Sequence, residues 1–218
     1  MWLKGVVMRA HYNGLIPRNP FAQFHINPNV KEREYLTEDE IKRIMAHEFD
    51  NPTLALVRDL FIFACFTALS FVDMKELTTD EIVEVNGEKW ILSKRHKTNV
   101  PFQVKLLDIP LQIIERYKYL SEDRLVFGKI NYWTMCKQLK KVMAECGIEK
   151  QISYHCGRHT FGTLALSKGM PIESVSRVLG HTNIVTTQIY AKITTQKLDN
   201  DLSMFGNKLN ASFGSVTP

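Results

Sequence analysis

Apolar positions recur at helical spacing over most of this chain and alternate with polar ones over one short stretch. Thr37-Glu38-Asp39-Glu40 forms a capping box, in which Thr37 and Glu40 satisfy each other's orphan amide hydrogens, and predicts a helix to about His47. Asn51-Pro52 opens a second helix, strongly apolar from Leu54 to Leu69, which places it in the core. Between Glu81 and Lys105 the period falls to two. Ile82-Val83-Glu84-Val85, Asn86-Gly87 and Lys89-Trp90-Ile91-Leu92 predict a hairpin on a type I′ turn. A third strand over 100–105 completes a small antiparallel sheet. It follows Ser93-Lys94-Arg95-His96-Lys97-Thr98-Asn99, a turn rich in cations.

From Pro110 the helical period returns. It predicts helices over 111–120, over 131–145 with Gly147 ending it, and over 153–168 with Ser153 as cap and Gly169 as stop. A further helix runs from Pro171 to Gly180, a short one over 185–190, and a terminal one near 194–208. In that last helix Leu198, Leu202 and Phe205 share one face. Ahead of the body, residues 2–12 have the pattern of a helix end. Asn13-Gly14, Pro17, Asn19-Pro20 and Asn27-Pro28 then predict an extended linker. No internal repeat is present. The expected fold class is mainly α with a small three-stranded antiparallel β-sheet (α+β), with residues 1–30 set apart from a body of 31–218.

Composition narrows the class. The 218 residues are 44% apolar and 23% charged, the balance of a globular protein rather than a disordered or collagen-like one. The longest apolar run, 60–69, is too short to cross a bilayer, and no basic-then-apolar leader opens the chain, so a cytoplasmic protein is expected. Lys plus Arg outnumber Asp plus Glu by 28 to 23, an excess that permits a nucleic-acid partner without establishing one. Cysteines 65, 136, 146 and 156 lack the close pairing of zinc ribbons, and read as reduced, mostly buried thiols.

The helix from Ser153 carries the chemistry. His155 and Arg158, three apart, share a face, with His159 close by, while Phe161, Leu164 and Ala165 mark the expected core side. Imidazole and guanidinium at a helix start suit a phosphate, because arginine holds two of its oxygens at once. Solvated surface positions are the structural alternative for His155 and Arg158. A zinc site from His155 and His159 would need Glu after the first histidine, where Cys156 stands. No metal or other cofactor is expected.

The order of the segments beyond this helix start decides the matter. His155-x-x-Arg158-His159-Thr160-Phe161 is followed by Leu179-Gly180-His181 and, nine residues on, by Tyr190. Together these resemble the tyrosine recombinase (phage-type integrase) family, across about residues 31–205. Pro171-Ile172-Glu173-Ser174-Val175-Ser176 and Thr186-Thr187-Gln188-Ile189-Tyr190-Ala191 are similar to integrases of Bacteroidales mobile elements. The resemblance implies the DNA breaking-rejoining catalytic-domain fold, with 1–30 the tail of an upstream core-binding domain and its linker. It implies a metal- and ATP-independent, site-specific DNA recombinase acting through a covalent 3′-phosphotyrosyl intermediate. By the same resemblance Tyr190 is the nucleophile, Arg158 and His181 stabilise the phosphorane, and His155 accepts the phenol proton. Lys97 protonates the leaving 5′-oxygen, with Lys94 as the competing lysine; Lys94 and His159 are expected on DNA. The implied partners are double-stranded DNA carrying an attachment or core site, and further copies of the chain. Such copies form a tetramer on DNA in which the C-terminal helix is exchanged between protomers; folding back on its own core is the alternative for that helix. No membrane is implied.

One position departs from the pattern. Family members usually carry Thr-Gly-Leu-Arg where this chain has Thr67-Ala68-Leu69-Ser70, so Ser70 stands in place of the first catalytic arginine, and Asp73 matches an acidic residue three positions later. Losing one transition-state donor costs roughly a hundred- to a thousandfold in rate. Either Arg95, two residues before Lys97, supplies the missing cation, or the chain is a recombinase-derived DNA-binding protein that no longer cleaves.

Overall fold

The computed structural model describes residues 2–22, 34–121, 123–191 and 195–214. It divides into two compact units, residues 1–32 and residues 33–218. The first contains helix α1 (Trp2–Tyr12), which leaves Trp2, Leu3, Val6 and Tyr12 exposed. Much of the expected linker, including Asn27-Pro28, lies outside the described residues.

The second unit is built on α3 (Pro52–Thr67), whose Leu60, Phe61, Ile62 and Phe63 are almost wholly buried. Asn51 caps it by accepting from the Thr53 amide at 2.9 Å. Around it stand α2 (Glu38–Ala46), α5 (Asp108–Arg116), α6 (Tyr132–Glu145) and α7 (Tyr154–Ser167). The capping box at Thr37 is present in full. Asp59 of α3 accepts from Arg116 at 2.7 Å and from the Tyr117 hydroxyl at 2.8 Å, tying α5 to the core helix.

The sheet has the order β1 (Ile82–Val85), β2 (Glu88–Lys94), β3 (Pro101–Lys105), all antiparallel, with Val85 opposite Glu88 and Lys94 opposite Pro101. Asn86 and Gly87 take φ of 53° and 79°, as a type I′ turn requires. After α7 come α8 (Ile172–Leu179), α9 (Val185–Gln188) and α10 (Thr195–Phe213). The architecture is mostly helical with one three-stranded sheet, as the periodicity predicts.

Two local expectations are corrected and a third is refined. The segment Ala68-Leu69-Ser70 is a break rather than helix: Ala68 adopts φ 58°, and α4 (Phe71–Lys75) starts afresh behind Ser70 as its N-cap. The helix expected over 111–120 begins earlier, at Asp108, because Pro110 falls in the first turn, where a missing amide hydrogen costs nothing. Leu111 to Arg116 then give way to a short 3₁₀ turn, Lys118–Leu120. Finally, Phe161, Leu164 and Ala165 do pack on the core but stay half-buried, and the deeper positions of α7 include Tyr154, Cys156, Gly157 and Thr160. At position 157 a glycine is needed because α3 comes very close. A Cβ on Gly157 would stand 2.9 Å from the Cβ of Ala64.

Gly157→Ala should therefore destabilise the fold by about 1–2 kcal/mol, overpacking the α3–α7 contact by more than alanine's helix propensity returns. Urea unfolding of the two proteins measures the difference.

Candidate active site

The site is assembled at the C-terminal end of α8. Gly180 ends this helix in the left-handed region at φ 62°, leaving the last carbonyls pointing outward. Two arginines from distant elements take successive ones. Arg95, just past β2, donates from Nη2 to the Val178 carbonyl at 2.7 Å. Arg158 of α7 donates from Nη2 to the Leu179 carbonyl and from Nη1 to the Ala68 carbonyl at 3.3 Å. The negative end of the α8 dipole suits both cations. The Arg95 guanidinium also lies 3.8 Å from the centre of the Phe102 ring. Glycine at 180 answers two demands, since a Cβ there would also approach the Arg95 Nε to 3.0 Å.

Asp73 holds this arrangement in register. Its carboxylate accepts from Arg95 Nη1 at 2.8 Å, from the His96 amide at 3.1 Å and from the Ser70 hydroxyl at 2.8 Å. Burial raises the Asp73 carboxyl, but Arg95, Ser70 and the His96 amide outweigh it and hold it below the usual carboxylate range. Ser70 in turn accepts from the Asp73 amide, so it serves as a helix cap and a clamp on Asp73. Two guanidiniums thus face one carboxylate. Burial first, then the charge of Arg95, lowers Arg158 to about 10, which leaves it protonated at neutral pH.

The histidines and the tyrosine close the site. His181 follows Gly180 directly and shares a hydrogen bond of 2.9 Å between Nδ1 and the Thr187 hydroxyl. Burial, then Arg158, Arg95 and His155, push it down to about 4. Tyr190, two residues beyond α9, is 8% exposed and lies within electrostatic reach of Arg158. His155 is exposed at the first turn of α7, its ring centre 4.6 Å from that of His159. His159, expected on DNA, is 4% exposed and packed between His155 and Tyr190, with its ring centre 5.3 Å from the tyrosine's.

The fold therefore brings Arg158, Arg95, Asp73, Ser70, His181, His155 and Tyr190 into one cluster. Lys94 and Lys97 stay at its rim, exposed at the end of β2 and on the turn after it. Two residues escaped the sequence reading. Thr187 orients His181, and its place in the Thr186-Thr187 pair was the available signal. Arg177 lines a groove of about 690 Å³ with Leu92, Lys94, Phe102 and Gln103. Its signal was adjacency to Val178, which only the fold connects to Arg95. Among the described residues, no group of three or more His, Cys, Asp or Glu side chains is placed to hold a metal ion, and no helix is long and apolar enough to cross a membrane.

A helical body with a three-stranded sheet and this cluster has the catalytic-domain fold of tyrosine recombinases. Residues 34–197 match the phage integrase family, and the chain belongs to that family. It is 44% identical over 210 residues to the tyrosine recombinase XerD of Listeria monocytogenes, covering 89% of this chain and 70% of that protein. A tyrosine recombinase of Pseudothermotoga lettingae is 29% identical over 177 residues, covering 78% of this chain and 61% of the relative. The chain thus spans 61% of that relative's length, and 62% of that of the Pyrococcus horikoshii tyrosine recombinase XerA. Among solved structures, the Tn1549 transposon integrase in complex with circular intermediate DNA superposes with a TM-score of 0.74 at 16% identity, over 92% of this chain and 75% of that one. The XerH recombinase bound to its difH substrate gives 0.65 at 21% identity, over 81% and 54%.

His181 generates a pH prediction. In the unfolded chain it binds a proton near pH 6.5, in the fold only near about 4, so the unfolded state gains the proton first on acidification. The stability linked to this group is present above pH 6.5 and lost as pH falls to about 4. His181→Asn should flatten that part of the stability profile, read by urea unfolding at stepped pH.

Proposed function

We propose that this chain is the catalytic part of a site-specific DNA recombinase that cleaves and rejoins strands through Tyr190. The observation that carries the reading is the pairing of buried Arg95 with half-buried Arg158, which lies within electrostatic reach of Tyr190, against the single carboxylate of Asp73: a positive surplus suited to a phosphodiester. The Tyr190 oxygen attacks phosphorus, its proton passing to His155. The bond to the 5′-oxygen breaks, and that oxygen takes a proton from Lys97, leaving a 3′-phosphotyrosyl enzyme and a free 5′-hydroxyl. Arg158, Arg95 and a neutral, hydrogen-bond-donating His181 offset the charge that builds on the nonbridging oxygens. Attack by another 5′-hydroxyl reverses the step and needs neither metal nor ATP.

Arg95 supplies the cation that Ser70 does not. The non-cleaving reading rested on a site one cation short, and Arg95 beside Arg158 removes that ground. Lys94 and Arg177, flanking the cluster along the groove, take neighbouring backbone phosphates. The likeness to integrases of Bacteroidales mobile elements supports integration and excision of such an element as the role, acting on DNA in a bacterial cytoplasm. Residues 1–30 then belong to the end of an upstream core-binding domain. On α10, Leu198 is 49% exposed, Leu202 59% and Phe205 58%, which favours docking on a neighbouring protomer within a tetramer over folding back on its own core.

The test is a nicked suicide substrate carrying the core site, incubated in EDTA and resolved on a denaturing gel. A covalent adduct should form and vanish in Tyr190→Phe; an adduct that survives the substitution would overturn the reading. Arg95→Lys, which keeps the charge but loses the planar fork, should slow adduct formation about tenfold or more. Arg177→Ala should leave sequence preference intact and lower the slope of log affinity against log salt by about 1.

A further inference from the structure

Glycine inside a helix is less favourable than alanine, so Gly162, in the middle of α7, calls for a reason. The reason is the ring of Tyr190. A Cβ at Gly162 would stand 2.9 Å from Cγ and Cδ2 of Tyr190 and 3.2 Å from Cδ1. These are atoms at the root of a rigid ring, so the whole phenol would have to shift, its hydroxyl included. The other wall of the seat is His159, whose ring is tilted 46° to that of Tyr190. His155 stands edge-on to His159, at 88°. Residues 155, 159 and 162 are spaced i, i+4, i+7 and form one stripe along α7.

The base of the tyrosine is tied as well. The Tyr190 amide donates to the Thr187 carbonyl at 3.0 Å, and the Thr187 hydroxyl is hydrogen-bonded to His181. Movement of the phenol is thereby linked to two of the groups that surround the phosphate.

We propose that Gly162 is a positioning residue: the notch it leaves in α7 seats the Tyr190 ring against His159, in the same chain as Arg158, so that the phenol oxygen meets the phosphate ready to attack. This rests on Tyr190 being the nucleophile. In the bound complex the seat spends no energy on orienting the ring, and a displacement of the order of an ångström there is costly in rate. The phenol's electrostatic effect on Arg158 is that of a hydroxyl already near the cation it will work with.

Gly162→Ala is the test, with a readout for each part of the claim. Single-turnover adduct formation on the suicide substrate should fall about tenfold or more, while noncovalent binding of the site stays within about twofold. A substrate with sulphur as the leaving atom needs no proton from a lysine. It should restore Lys97→Ala and leave Gly162→Ala slow, which separates a misplaced nucleophile from a failed leaving group. Thermal melting supplies the structural arm: Gly162→Ala should raise the melting temperature in a Tyr190→Ala chain and give no such gain when Tyr190 is present. Wild-type cleavage by Gly162→Ala, or equal melting shifts in both backgrounds, overturns the proposal. So does failure of the double variant to fold where Tyr190→Ala alone folds, because the alanine would then clash with something other than the ring. If the unaltered chain forms no Tyr190-dependent adduct, the recombinase reading fails, and the melting comparison still decides whether the ring's seat exists.

Discussion

Everything at this site depends on keeping two guanidiniums close together inside a protein. Arg95 is 5% exposed, and Arg158 is half-buried beside it, so their repulsion is poorly screened. The fold answers with oriented dipoles and one full charge. The C-terminal carbonyls of α8 accept from both arginines, the Ala68 carbonyl accepts from Arg158, and Asp73 neutralises Arg95. One positive charge remains unmatched. An arriving phosphate meets groups already oriented, and gains from them without forcing the protein to reorganise.

Local devices were legible in the sequence because they involve residues close along the chain. The Thr37–Glu40 box, the Asn131 cap of α6, which accepts from the Trp133 amide at 2.8 Å, and the Asn86-Gly87 turn each follow from a few adjacent side chains. The resemblance of the motifs from His155 to Tyr190 pointed to side chains that the fold does gather. It could not tell which side chain Asp73 would grip, because Arg95 is 22 residues away, nor that the same arginine would reach Val178, 83 residues on. The burial of His159 was not legible for a related reason. Helical spacing shows which residues share a face, but α7 is covered on two sides, by α3 and by the Tyr190 segment, so its histidine stripe runs from open surface into packed interior.

Ser70 illustrates how one substitution changes the meaning of its neighbours. An arginine at this position would bring its own charge to the site. The serine instead caps α4 and donates to Asp73, which sharpens that carboxylate as a partner for Arg95. Arg95 thereby becomes a fixed part of the interior, packed on Phe102 and beneath Gly180. The turn bearing Lys97 is anchored by the same carboxylate through the His96 amide, so the residue read as leaving-group acid hangs from the structure that orders the cations.

That shared carboxylate makes positions 70 and 95 interdependent. Ser70→Arg in the present chain would remove the cap of α4, set two cations competing for Asp73, and crowd a third guanidinium into a space balanced for two. Losing Arg95 would strand Asp73 as a buried, unpaired anion. Asp73 therefore couples positions 70 and 95 into one unit, in which a change at either alone is felt at the other and the two effects do not simply add.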